Sequence, residues 1–240
     1  MCNRYNIKGT TQEIVERFQA TLPTLFDVPS DDILPGHLAP GLLLNRDGER
    51  ELVPMQFGLA KLGTDEPFDR KWPNNNARIE KYNSWPWTLP FAEHRCILPL
   101  SEFREPCYWG DTAGSEVYFK ATDGEYLGVA GLYNVWKSQG TEQFYSMTFL
   151  MRPASKYVMD HGHHRQPFFI ADEGFDKWME PRKRDPKESL NILREYAHEP
   201  PLEYRVERQM VASWKGRQKG RLADRDEQLA ANDQTGPLRF

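Results

Sequence analysis

Residues 41–59 read GLLLNRDGERELVPMQFGL. Two apolar runs, Gly41–Leu44 and Leu52–Leu59, flank the turn signal Arg46-Asp47-Gly48, the pattern of a β-hairpin. Outward from this stretch the same grammar repeats. Cys96–Pro99, Glu116–Ala121, Tyr126–Tyr133 and Phe144–Met151 are further strand candidates, and Asp123-Gly124 marks another turn. Short strands at frequent spacing, with few long helices, predict a mainly antiparallel sheet or open barrel. Helices are expected at 11–20, where Thr10 or Thr11 can cap a stripe of Ile14, Val15 and Phe18, and at 186–197. Residues 22–40 carry four prolines and read as loop. Residues 61–94 are irregular and polar-aromatic, with Trp72, Trp85 and Trp87, and a loop this long usually carries function or a short helix of its own.

The chain has 240 residues, 39% hydrophobic and 12% aromatic, enough apolar material for one sizeable core. A single domain is expected over 1–214. Residues 215–240 are polar and mixed in charge and read as a solvated or disordered tail. No run approaches the ~20 apolar residues of a membrane span. The first ten residues hold no apolar stretch, which argues against a secretory signal. Three cysteines at unrelated spacings, Cys2, Cys96 and Cys107, predict neither a disulfide framework nor a four-cysteine zinc site, and point to a reducing compartment.

The net charge of −4 excludes a chain-wide basic field of the kind that coats nucleic acid. It is unevenly spread. Residues 181–240 hold 13 Lys and Arg against 10 Asp and Glu, a net of +3, and residues 1–180 hold 18 against 25, a net of −7. A local basic groove remains compatible with this balance.

Cys2 is the first chemical candidate. Removal of Met1 by an aminopeptidase leaves an α-amine, pKa about 8, beside a thiol, pKa about 8.5. This 1,2-aminothiol can condense with an aldehyde to a Schiff base and close a thiazolidine ring. The plain alternative is an incidental cysteine at a frayed terminus. Asn75-Asn76-Ala77-Arg78 with Glu80 offers amide donors and a phosphate-binding fork, and equally fits a polar loop. Glu105, near Phe103, Tyr108 and Trp109, can have a raised pKa and serve as general acid or base, or can be a surface carboxylate beside Arg104. His161, His163 and His164 invite a zinc reading, yet no second ligand pair accompanies them, and a single catalytic imidazole is the stronger expectation. Trp85, Trp87 and Trp109 could stack on bases of single-stranded nucleic acid, though tryptophan more often belongs to core or half-buried structure.

The order of these signals along the chain is more specific than any one of them. Met1-Cys2-x-Arg4-Tyr5 is followed by His37-x-x-Pro40, Met55-x-Phe57-Gly58-Leu59, Asn76-Ala77-Arg78-x-Glu80 and Arg95-Cys96-x-x-Pro99. Phe103-x-Glu105, Ala130-Gly131-Leu132-Tyr133-x-x-Trp136 and His163-x-Arg165-x-Pro167 complete the series. Over residues 1–170 the chain resembles the SOS response-associated peptidase (SRAP) family of abasic-site processing proteins.

The resemblance implies an α+β fold, with a few peripheral helices around the sheet or barrel. It implies a sensor of abasic sites in single-stranded DNA that joins Cys2 to the ring-opened aldehyde as a thiazolidine, with thiol autopeptidase activity that exposes Cys2. Asn76 would orient the Cys2 terminus, Glu105 would act as general acid and base, and His163 would assist proton transfer at the sugar. Arg4, Phe57, Arg78 and Arg165 would contact DNA. No cofactor or metal is implied, and a monomer in the cytoplasm of a bacterium or phage-infected cell is expected. This chain departs from the family pattern at Asn3, where glycine is usual, at Phe57 in place of tryptophan, and after Glu105, where Pro106 stands before Cys107-Tyr108-Trp109. His164 and Gln166 also depart from it. A thiol hydrolase acting on other peptides and a non-catalytic single-strand-binding module are the competing readings.

Overall fold

In the computed structural model, which describes residues 2–64, 68–124, 126–137 and 143–235, the hairpin at 41–59 is the seed of a barrel. Strand β1 (Tyr5–Asn6) and helix α1 (Thr11–Phe18) precede it, and β2 (Leu38–Leu44) and β3 (Arg50–Phe57) form it. Then follow β4 (Asn76–Arg78), α2 (Thr88–Glu93), β5 (Arg95–Leu100), β6 (Glu102–Pro106), β7 (Ser115–Ala121), β8 (Leu127–Lys137) and β9 (Gln143–Pro153). Helix α3 (Lys156–Asp160), β10 (Arg165–Pro167), α4 (Phe175–Met179), α5 (Pro186–Glu195), β11 (Leu202–Gln209) and α6 (Trp214–Thr235) complete the described chain.

The turn between β2 and β3 is held by Asn45, whose Oδ1 accepts from the backbone N–H groups of Asp47 and Glu49 at 2.9 Å each. Gly48 supplies the left-handed position, φ 82°. Helix α1 begins with a capping box between Thr10 and Glu13 and buries Ile14 and Phe18.

β9 decides the architecture. One edge pairs antiparallel with β8, from Lys137↔Gln143 to Gly131↔Phe149, and then with β10. The other edge pairs parallel with β3, at Met55↔Tyr145, and then with β4, at Asn76↔Phe149. With β2–β3, β2–β5 and β5–β8 antiparallel, strands β9, β3, β2, β5 and β8 close on themselves. The fold is therefore α+β, and the expected open barrel is closed through one parallel seam. Beside it lies a four-stranded antiparallel sheet in the order β1-β6-β7-β11.

Some expectations change. Asp123-Gly124 is a corner between the two sheets rather than a hairpin turn: β7 pairs with β6 and β11, whereas β8 pairs with β5 and β9. β1, β4, β6, β10 and β11 lay outside the expected strands, β4 within the stretch 61–94 expected to be irregular. β11 exposes all but its first side chain, yet Leu202, Tyr204 and Val206 alternate with Glu203, Arg205 and Glu207, a period-two signal that the strand reading passed over. Within residues 215–240, expected as a tail, α6 runs to Thr235. Its inward face is polar, so a search for an apolar stripe passes over it. No helix of the described residues is long and apolar enough to cross a membrane.

Candidate active site

β1 and the residues before it run antiparallel along β6. Tyr5 stands opposite Phe103, Asn6 opposite Glu102, and the Arg104 N–H donates to the Arg4 carbonyl at 3.0 Å. Continued one step, this register brings the Cys2 end of the chain beside Glu105. Cys2 is fully buried, and its Sγ donates to the Arg4 carbonyl at 3.4 Å. Burial and the nearby Glu105 carboxyl push the thiol pKa up.

The parallel β4–β9 pairing carries Asn76 to the same place. Its Nδ2 donates to the Cys2 carbonyl at 2.8 Å and lies 3.2 Å from Asn3 Oδ1. Asn75 Nδ2 donates to the same two oxygens, at 3.1 and 3.0 Å. Both neighbouring amides face one carbonyl because Asn75 lies outside β4, directly after the left-handed turn at Asn74, φ 48°. Asn76 Oδ1 is buried and without a hydrogen-bond partner among the described residues.

Glu105, at no measurable exposure, ends up in the floor of this site, and burial pushes its pKa up to about 7. His163, equally buried, is brought to it by the turn after α3. Gly162 makes that turn possible: its φ is 93°, and a Cβ there would stand 2.6 Å from the Trp109 carbonyl. The Gly162 carbonyl accepts from the Tyr108 N–H at 2.8 Å, which fastens the turn to the end of β6.

His163 Nδ1 lies 2.8 Å from the Pro106 carbonyl, an atom that only accepts, so Nδ1 carries the proton and Nε2 is the basic nitrogen. Nε2 stands 3.3 Å from Glu105 Oε2, in contact but not aligned as a hydrogen bond. Such alignment commonly tightens only when substrate is bound. Burial holds the imidazole pKa well below its usual range. A neutral imidazole beside a carboxyl with a raised pKa is a pair that stores one exchangeable proton near neutrality.

The three histidines do not converge. His161 Nδ1 meets the Tyr157 carbonyl at 2.7 Å, and its ring packs on Tyr157 and Tyr204. His164 Nε2 lies 3.6 Å from Asp224. Among the described residues no group of three His, Cys, Asp or Glu side chains could hold a metal ion.

Of the side chains expected to meet DNA, Arg4 lines a groove of about 1200 Å³ that opens at Asn3 and Asn75, and it pairs with Asp32 at 3.4 Å. Arg165 is paired with Glu80, and Arg78 lies close to both and is partly buried. Phe57 is corrected: it is fully buried, 5.2 Å from the Tyr5 ring and 5.3 Å from the Phe149 ring, and it offers no face to a base. Phe68, Trp72 and Tyr108 line the groove instead, and of these Trp72 stands out into it, 65% exposed. Trp85 lies in a separate apolar pocket with Leu62 and Leu89, and Trp109 is fixed by donation to the Met159 carbonyl at 2.7 Å.

Sequence reading gave Asn75 an amide donor without a partner, and passed over the accepting amide of Asn3 and the cations Arg70, Lys71, Arg104 and Arg208 that line the groove. The cations carried a signal, the density of Lys and Arg, but it was scattered over one loop and the strands β6 and β11. Met1, whose removal was expected, lies outside the described residues.

The comparisons agree with this architecture. Abasic site processing protein YoqW of Bacillus subtilis (strain 168) is 25% identical over 210 residues, covering 86% of this chain and 92% of that protein. YobE of the same strain, also an abasic site processing protein, is 25% identical and covered to 94%. Crystal structures of proteins from Bordetella bronchiseptica and Bacteroides thetaiotaomicron superpose with TM-scores of 0.67 and 0.68 at 20% and 17% identity. Each covers 86% of this chain, and the chain covers 100% and 92% of theirs, which establishes a shared fold. The profile of one family, SOS response associated peptidase (SRAP), matches residues 1–213, the stretch that holds Cys2, the paired asparagines, Glu105 and His163, and the chain belongs to that family.

Proposed function

We propose that this protein captures abasic sites in single-stranded DNA by covalent linkage to Cys2. The observation that carries the reading is the convergence of two buried amides and a proton-storing Glu105–His163 pair on the second residue of the chain. The names of the Bacillus relatives point to the same lesion.

The chemistry begins with loss of Met1, to which a thiol autopeptidase activity of Cys2 would contribute. Asn75 and Asn76 fix the Cys2 carbonyl, and the open acceptor Asn76 Oδ1 is placed to orient the freed amine. Glu105 donates a proton to O4′ as the deoxyribose opens to its aldehyde, while His163 Nε2 takes the proton of the C1′ hydroxyl and returns it to Glu105. The Cys2 amine adds to C1′, and water leaves with the proton that Glu105 supplies, giving a Schiff base. The thiol then adds to the same carbon and its proton passes to the ring nitrogen, closing the thiazolidine. One protein and one aldehyde yield one adduct and one water. The closed ring removes the carbonyl that acidifies the neighbouring C–H, so the strand is protected from elimination.

The test is Cys2→Ala with an oligonucleotide carrying one abasic site. The reading predicts loss of the stable adduct with the fold intact by circular dichroism. A Cys2→Ala protein that still forms it removes Cys2 from the chemistry. Turnover of an unrelated peptide, without any DNA adduct, would favour the thiol hydrolase instead.

A further inference from the structure

Helix α6 begins at Trp214, one residue beyond the stretch that the family profile matches. It is seated on the molecule by one face. The Trp214 indole lies over Gly114, where a Cβ would stand 2.9 Å from the ring. Gln218 Nε2 donates to the Tyr108 carbonyl at 2.7 Å. The Arg221 guanidinium lies 5.9 Å from the Tyr108 ring centroid, and that of Arg225 lies 5.3 Å from Trp109. Asp224 pairs with Arg221 at 3.1 Å and faces His164 Nε2 at 3.6 Å, and Gln228 is buried. Positions 214, 218, 221, 225 and 228 alternate spacings of four and three, which is one stripe of a helix. The stripe is polar and aromatic throughout.

This seating turns Arg217 and Arg221 toward the groove lined by Asn3 and Asn75, whose side-chain amides adjoin the Cys2 carbonyl. They line it opposite Arg4, Arg104 and Arg208 of the four-stranded sheet and its margin. Arg70, Lys71 and Trp72 supply the loop at its mouth, and among the described residues Glu116 is the one carboxylate in the lining. Glu116 is itself taken up by Arg104 and Arg208, at 3.0 and 2.9 Å. A chain of net charge −4 thus concentrates positive charge on two facing walls, and the helix builds the second one.

We propose that α6 is a wall of the strand-binding groove, with Arg217 and Arg221 taking successive backbone phosphates of single-stranded nucleic acid next to the lesion. One helical turn sets the two side chains about 6 Å apart along the axis, on the same face. Arg221 lies on Tyr108, so its guanidinium is held ready at little cost in side-chain entropy. The contact is sequence-independent, which suits a protein whose selectivity comes from the lesion's aldehyde. The inference rests on the abasic-site reading for the identity of the polyanion.

The test separates binding from chemistry. A labelled single-stranded oligonucleotide carrying a tetrahydrofuran abasic analogue binds without an aldehyde and is followed by fluorescence anisotropy across a salt series. Arg217→Gln/Arg221→Gln is expected to weaken binding about tenfold at low salt. It is also expected to flatten the slope of log affinity against log salt by about 1.4, since each phosphate contact on a single strand contributes about 0.7. Arg217→Gln alone, at an exposed position, is expected to remove about half of that slope and serves if the double variant unfolds. Lys215→Gln/Lys219→Gln carries the same charge change on the exposed side of α6 and is expected to leave the slope unchanged.

Wild-type slope in the arginine variants overturns the inference, as does equal loss in the lysine variant. Tighter binding by the arginine variants also overturns it and makes the helix a cover. Wild-type protein mixed with an authentic abasic oligonucleotide distinguishes the two levels. An adduct with unchanged binding in the variants rejects the wall alone, whereas neither adduct nor binding rejects the abasic-site reading with it.

Discussion

Glu105 sets the pH behaviour. Burial raises its pKa to about 7, so its acid form, the one that donates to the leaving oxygen, is lost as pH rises through that value. The Cys2 amine, pKa about 8, is lost as a nucleophile as pH falls. The two requirements oppose, and the rate of adduct formation should be bell-shaped with a maximum between about pH 7 and 8. In Glu105→Gln the rate should drop at least tenfold at pH 7 and the alkaline limb should vanish, measured by gel quantification of the adduct; an unchanged profile removes Glu105 from the reaction.

The same shift acts on stability with a definite sign. A carboxyl whose folded pKa lies above its ordinary 4.5 binds more protons folded than unfolded between 4.5 and 7, so it costs stability as pH rises through that window, by up to about 3 kcal/mol. Glu105→Gln should therefore raise the melting temperature at pH 8 and change it little at pH 4. For the amides, Asn75→Ala and Asn76→Ala each remove one donor from the Cys2 carbonyl, and each should slow adduct formation by about threefold to tenfold. A neutral Asn75→Ala would restrict positioning to Asn76.

At the scale of elements, Arg95 on β5 shows what ties the helices to the barrel. All five of its N–H donors reach backbone carbonyls: Phe91 and Ala92 at the end of α2, Trp178 in α4, and Glu180 and Arg182 beyond it. Lysine offers three donors with no planar fork, so Arg95→Lys should cost about 2–4 kcal/mol in urea unfolding. A loss below about 0.5 kcal/mol would mean that the carbonyls find other donors.

Elements with an apolar stripe or apolar alternation were legible in the sequence: α1, α5, and strands β2, β3, β5, β7, β8 and β9 all stand within a few residues of their expected places. Elements held by polar contacts were not. β1 is two residues long and exists through pairing with β6, 96 or more residues away, and α6 is seated by Gln218, Arg221 and Arg225. The site follows the same rule. Cys2, Asn76, Glu105 and His163 carry recognisable chemistry, while Asn3 and Asn75 take their places only once the turn at Asn74 is formed. Phe57 was misplaced because an aromatic residue reads alike whether its ring meets a base or a core.

For the whole molecule, barrel closure through β9 gathers Asn76 from β4 and His163 from the turn before β10 around one end of the neighbouring sheet, where Glu105 waits on β6. The barrel in turn depends on tight packing against its helices. Gly128 on β8 faces Phe175 of α4, and a Cβ there would stand 2.3 Å from the ring. Gly128→Ala should destabilise the protein by about 1–3 kcal/mol in chemical denaturation. The central claim, capture of an aldehyde by the Cys2 aminothiol, is tested most directly by intact mass spectrometry of the wild-type protein mixed with a single-stranded oligonucleotide bearing one abasic site. The predicted species has lost Met1 and gained the mass of the oligonucleotide less one water. A protein that has lost Met1 and gains no mass contradicts the account.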